Sequence, residues 1–332
     1  MDLLAGGHLP HVEIAYETWG ELNEDRTNAV FVCHALSGDS HCIGWWDRIV
    51  GPGLAIDTER FFVVGTNALG GCQGSTGPSS SDPEGNPWGS RFPVIQLQDM
   101  VAAQARVADQ LGIEKWHLVA GGSMGGMQAL EWGIQFPDRV ANIWMTASCS
   151  AHSAMQIGFN EAGRQAILRD SHFNGGDYYD SQQPSNGLSV ARMIGHLSYL
   201  SDASFTAKFG RSLQDKENFE FNGGIEFAVE SYLSYQGDKF TQRFDANSYL
   251  VLTKAIDYWS REDLSPLQAR LLLTSFTSDW IYPNHQSVSI FERAQKLGKE
   301  VEHHEIDLPM GHDSFLLDGE HQARILRNFL SQ

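Results

Sequence analysis

Short apolar runs alternate along the first half of the chain with longer stretches in which apolar residues recur at helical spacing. VEIAYE (12–17), AVFVC (29–33), FFVVGT (61–66), WHLVA (116–120) and NIWMTA (142–147) are short and mostly apolar, as strands buried between two helical layers would be. Between the third and fourth lies QLQDMVAAQARVADQLG (96–112), a helical segment closed by Gly112. Such alternation predicts an α/β fold with a mostly parallel sheet and helices on both faces.

From about residue 153 to 266 the strand pattern vanishes, and ARMIGHLSYLSD, IEFAVESYLSYQGD and NSYLVLTKAIDYW read as helices. RLLLTSF (270–276) and VEHHEID (301–307) then resume the strand pattern, and GEHQARILRNFL closes with a helix. The simplest organisation is a core domain built from 1–152 and 267–332, interrupted by a helical insertion, 153–266, about the size of a small domain. SSSDPEGNP and NPWGSRFP are loops by their Pro, Gly and Ser content. There is no internal repeat or low-complexity tract.

Composition narrows the function. A hydrophobic fraction of 42% with 11% aromatic residues fits a folded globular chain. The formal net charge of -18 argues against nucleic-acid binding, and an anionic ligand would need local cations or helix N-termini. No apolar stretch approaches the roughly 18 to 20 residues of a membrane helix, and MDLLAGGHLPHVEIAYE lacks the regions of a signal peptide. The expectation is a soluble, cytoplasmic protein without a membrane partner. Four cysteines without a CxxC pair, Cys33, Cys42, Cys72 and Cys149, are expected to be reduced thiols.

The candidate chemistry starts at VAGGSMGGMQALEW (119–132), where Ser123 stands among glycines between an apolar run and a helical pattern. Met127, Leu130, Trp132 and Ile134 are expected on one side of a helix ending before Pro137. Residues 121–125 fit the G-x-S-x-G nucleophile elbow, although a Gly-rich strand-to-helix turn serves equally well for phosphate. A serine nucleophile needs a base, and the base an orienting acid, in the chain order Ser, Asp or Glu, His. Asp279 follows the strand RLLLTSF and His312 follows VEHHEID, both where the catalytic loops of open α/β sheets gather. Taken singly, Asp279 could cap a helix near Asn284 and His312 could be an ordinary loop residue. HALSGDSH (34–41), after the second strand, is positioned to supply one oxyanion-hole amide from Leu36, with Met124 supplying the other. His303 and His304 fit a strand with one ring inward and one outward. They lack a spaced ligand set, so no metal is expected.

Over almost its whole length the chain resembles the MetX-type homoserine O-acyltransferases of the α/β-hydrolase superfamily. The resemblance rests on YETWGELN, CHALSGDSH, GWWDRIVGPGLAIDTERFFVVGTNALGGCQGSTGPSS, GGSMGGMQALEW, ARMIGHLSYLSD, FGRSLQ and MGHDSFL. It implies an α/β-hydrolase fold with a helical lid, and Ser123, Asp279 and His312 as a catalytic triad. It also implies two substrate contacts, Arg211 for the α-carboxylate and Asp313 for the ammonium of an amino acid. In a plain fold Arg211 would be a surface lid residue and Asp313 a turn-forming aspartate.

The implied reaction is ping-pong: Ser123 takes an acyl group from a coenzyme A thioester and the homoserine hydroxyl then receives it. Acyl-CoA is a co-substrate, and no bound cofactor is required. Succinyl-transferring relatives look as if they carry an arginine two residues after the triad aspartate, where this chain has Ile281. An aliphatic side chain there leaves a succinyl carboxylate unpaired, so acetyl-CoA is the expected donor. A lid arginine reaching in, giving succinyl transfer, stays open, as does serine in place of homoserine, one methylene shorter. An esterase would have no use for the Arg211 and Asp313 pair, and a non-catalytic binding protein would predict a broken triad. The resemblance further implies a homodimer.

Overall fold

The computed structural model describes all residues, 1–332. Seven strands form one sheet: β1 (Tyr16–Trp19), β2 (Ala29–Cys33), β3 (Phe62–Thr66), β4 (Leu118–Gly122), β5 (Asn142–Thr146), β6 (Arg270–Phe276) and β7 (Val301–Ile306). Their spatial order is β1-β3-β2-β4-β5-β6-β7. Only the β1–β3 pair at the edge is antiparallel; every other pair is parallel.

The side-chain period of two explains why the sheet is covered on both faces. Along β2, Phe31 and Cys33 enter one core while Val30 and Val32 enter the other. Along β5, Ile143 and Met145 separate from Trp144 in the same way. Both faces of these strands are therefore apolar, which is why they read as continuous runs. The larger core holds α1 (Leu97–Gln110) and α2 (Met124–Gln135); the smaller is closed by α9 (Glu320–Leu330), which buries Ala323, Leu326 and Phe329 along one stripe. Gly112, with φ 68°, ends the α1 region as expected.

Between β5 and β6 the chain adds no strand to the sheet. It forms α3 (Ala154–Leu168), α4 (Ser185–Tyr199), α5 (Asp202–Lys208), α6 (Ala228–Thr241) and α7 (Ala246–Tyr258), followed after β6 by α8 (Asn284–Lys296). α7 returns to the core through Glu131 of α2. This fully buried carboxylate accepts from the Trp259 indole at 2.8 Å and from Arg261 at 2.6 and 2.8 Å.

Two local readings need correction. α2 does not present one apolar side: Met124 through Gly133 are all buried, because sheet and helices enclose it. The first strand lies at 16–19 rather than 12–17, because Glu13 and Ala15 pair with the loop residues Thr76, Ser75 and Asn67 instead of with a strand. No helix is long and apolar enough to cross a membrane. All four cysteines are free thiols.

Candidate active site

Ser123 is the residue between β4 and α2, with φ 56° and ψ -125°, a conformation that costs a non-glycine residue free energy. The surrounding glycines make this turn possible. A Cβ on Gly121 would lie 2.3 Å from the Gly125 backbone, and one on Gly125 would lie 2.1 Å from the Cys33 carbonyl oxygen. The turn is held by Ser123 N donating to the Thr146 carbonyl and by the Ser148 hydroxyl donating to the Ser123 carbonyl at 2.6 Å.

Leu36, Ser123 and Met124 line one cavity of about 50 Å³ beneath the lid. The amides of Leu36 and Met124 donate to no protein acceptor, so both remain available at the mouth of α2, where the helix dipole favours negative charge. The Leu36 loop is fixed by His34, which accepts from Ala68 N at Nε2 (2.9 Å) and bonds the Ala35 carbonyl through Nδ1 (2.7 Å). Burial keeps the His34 pKa low, so the ring is neutral. From the lid, Arg243 donates to the Ser37 carbonyl at 2.9 Å.

Asp279 sits in the turn after β6 and His312 in the loop after β7. One Asp279 oxygen accepts from the amides of Ile281 (3.1 Å) and Tyr282 (2.8 Å); the other meets His312 Nδ1 at 2.8 Å. Both side chains are buried. Asp279 is thus not the cap of α8, whose N-cap is Pro283. The His312 ring is stacked by Tyr282 at 4.8 Å and met edge-on by Phe315 at 5.3 Å, which leaves Nε2 as its free nitrogen. No hydrogen bond joins the Ser123 hydroxyl to His312; Tyr282 shares the cavity wall with Ser123 instead. Ile281 lines the same cavity and is 6% exposed.

Arg211 and Asp313 are not brought together. Arg211 is exposed on the loop after α5, with its guanidinium over the Phe227 ring at 5.3 Å. Asp313 is half-buried beside His312, and desolvation raises its pKa, opposed by the cations Arg192 and Lys208. Arg192, packed on Phe240 at 4.8 Å, is thus a lid cation that acts on Asp313, and it escaped the sequence reading. Tyr282 escaped as well, with the group behind it: its hydroxyl meets His152 Nε2 at 2.8 Å, and His152 Nδ1 meets Asp257 at 2.9 Å. No motif marks His152 or Asp257, which are 105 residues apart. His303 and His304 are successive residues of β7 and face opposite ways, both half-buried: His303 packs on Phe291 and bonds the Ser275 hydroxyl through Nε2, and the more exposed His304 ring faces Glu302.

Residues 28–318 match the α/β hydrolase fold family. The chain is 50% identical to a homoserine O-succinyltransferase of Dechloromonas aromatica, covering 99% of this chain and 94% of that protein. It is 48% identical to a homoserine O-acetyltransferase of Methanococcoides burtonii, covering 99% of this chain and 71% of that protein. Among solved structures, the homoserine O-acetyltransferase of Bacillus anthracis superposes with a TM-score of 0.93 at 26% identity, covering 100% of this chain and 95% of that one. The L374D mutant of esterase E22 superposes with a TM-score of 0.91 at 26% identity, over 100% and 97% of the two chains. An elbow serine and a buried aspartate–histidine pair under a helical lid, with full-length identity near one half, place the chain in the homoserine O-acyltransferase family of the α/β hydrolase fold.

Proposed function

We propose that the chain is a homoserine O-acetyltransferase in which Ser123, His312 and Asp279 move an acetyl group from acetyl-CoA to the homoserine hydroxyl. The observation that carries this reading is the buried 2.8 Å Asp279–His312 pair behind Ile281 and Tyr282, which line the cavity that also holds Ser123, in a chain with homoserine acyltransferase relatives. In the first half-reaction the Ser123 oxygen attacks the thioester carbonyl carbon and its proton passes to His312 Nε2. The amides of Leu36 and Met124 receive the oxyanion, the C–S bond breaks, and the thiolate leaves with the proton. In the second, His312 takes the homoserine hydroxyl proton as that oxygen attacks the acetyl carbonyl, the ester bond to Ser123 Oγ breaks, and His312 returns the proton to Ser123 Oγ. Asp279 keeps Nδ1–H in place throughout.

The enclosure under the lid favours transfer over hydrolysis, since water is the competing nucleophile. Ile281 on the cavity wall offers a succinyl carboxylate no partner. Asp313 would hold the substrate ammonium. Arg211 would reach the α-carboxylate only when the segment after α5 folds over the cavity mouth. A cytoplasmic homodimer in methionine biosynthesis completes the reading.

Thiol release tests it, with acetyl-CoA or succinyl-CoA as donor and homoserine, serine or no acceptor. Fast release requiring acetyl-CoA and homoserine together is expected. Equal release without an acceptor would make the protein a hydrolase, and full activity in Ser123→Ala would remove the mechanism.

A further inference from the structure

The Leu36 amide belongs to a turn whose hydrogen bonds lead back to the lid. His34 follows β2 directly, and Gly38 N donates to the Ala35 carbonyl at 2.9 Å, closing a turn with Leu36 and Ser37 at its centre. His34 Nδ1 meets the same carbonyl at 2.7 Å; because Nε2 accepts from Ala68 N, the neutral ring carries its proton on Nδ1 and donates there. The Ser37 carbonyl accepts from Arg243 Nη1 at 2.9 Å. Arg243 lies between α6 and α7, with its guanidinium over the Phe240 ring at 5.4 Å and its carbonyl held by the Gln73 side chain.

A trans peptide points its C=O and N–H in opposite directions. The Ser37–Gly38 peptide therefore accepts from Arg243 on one side and donates to Ala35 on the other. The Ala35–Leu36 peptide accepts from Gly38 and directs its own N–H, which has no protein acceptor, away from the turn. A cation thus stands at the head of a relay of two peptide groups that ends at the Leu36 amide, and each bond polarises the next.

We propose that Arg243 is a positioning residue for the oxyanion hole: from the lid, it holds the Ala35–Gly38 turn in place and strengthens the Leu36 amide as a donor to the developing oxyanion. The hole is then complete only while the segment between α6 and α7 rests on the core. The inference rests on the reading of Ser123 as nucleophile and of Leu36 as an oxyanion donor.

Two analogues of the acyl donor separate this role from simple binding. A trifluoromethyl ketone analogue of acetyl-CoA forms a tetrahedral adduct with a serine, whereas the thioether S-ethyl-CoA has no carbonyl to polarise. Arg243→Met keeps an apolar stem on Phe240 but removes donor and charge together. It should bind the ketone about tenfold more weakly and the thioether with unchanged affinity, and kcat for homoserine-dependent thiol release should fall by a similar factor. Arg243→Lys, which keeps a charged donor, should recover most of both losses. Equal weakening of the two analogues would make Arg243 a coenzyme contact or a merely structural residue, and unchanged ketone affinity in Arg243→Met would leave the relay without effect; either result overturns the proposal. In Ser123→Ala the ketone should bind no tighter than the thioether. A ketone that keeps its advantage there would overturn the nucleophile reading, and this inference with it.

Discussion

Asp279 divides its carboxylate between two tasks, one oxygen fixing the turn through two amides and the other orienting His312. Asp279→Asn keeps the size but presents an amide to Nδ1, which favours the wrong imidazole tautomer. Homoserine-dependent thiol release should fall about 10³- to 10⁴-fold, as loss of the orienting acid does in serine triads generally, while the thermal midpoint changes little. Asp313 predicts the opposite balance. Burial raises its pKa, so the folded chain binds its proton more readily than the unfolded chain, and its contribution to stability falls as pH rises from the unfolded value through the folded one. Asp313→Asn should therefore raise the thermal midpoint at neutral pH while raising the KM for homoserine at least tenfold. In the native enzyme the homoserine KM should climb as pH falls and Asp313 becomes neutral. Ser123, Asp279 and His312 were legible because each follows a strand and stands in a recognisable turn. Tyr282, His152 and Arg192 were not, because what gives them meaning is a contact between distant segments that leaves no spacing in the sequence.

The helical lid is attached to the core at a defined chemical point, the element-scale counterpart of these contacts. Glu131 is fully buried within α2, and its partners Trp259 and Arg261 follow α7 directly. Replacing Arg261 by Met strips a buried carboxylate of its only cation, a change that costs about 3 kcal/mol or more. Urea unfolding should show that loss, and removing both charges with Glu131→Gln and Arg261→Met together should recover part of it. The element pattern explains which strands were readable. β2, β4, β5 and β6 are buried on both faces and announce themselves as apolar runs. β1 is half-exposed at the sheet edge, so its start is set by where β3 ends as a partner, at Thr66, and no residue in 12–17 encodes that limit. α2 was misjudged for the same reason that the strands were clear: a helix enclosed on all sides has no polar face to betray its orientation.

At the scale of the whole molecule, overall similarity does not choose the acyl donor. The chain is 50% identical to a homoserine O-succinyltransferase and 48% identical to a homoserine O-acetyltransferase, a difference far too small to carry specificity. Donor choice must therefore lie in a few side chains at the cavity, where a single unpaired charge outweighs many neutral differences elsewhere. Ile281 is placed for that role, because the amide that fixes it to Asp279 also fixes its side chain against the cavity holding Ser123. Ile281→Arg introduces a cation that fills room now available to an acetyl group and offers a partner to a distal carboxylate. The expected result is a fall in kcat/KM for acetyl-CoA and a shift of at least tenfold in the acetyl-to-succinyl ratio, about 1.4 kcal/mol of differential transition-state binding. Thiol release measured with both donors at saturating homoserine gives that ratio. If it stays constant while both rates fall together, Ile281 only packs the wall, and the lid cations Arg192, packed on Phe240, and Arg243, bonded to the Ser37 carbonyl, are the next side chains to replace.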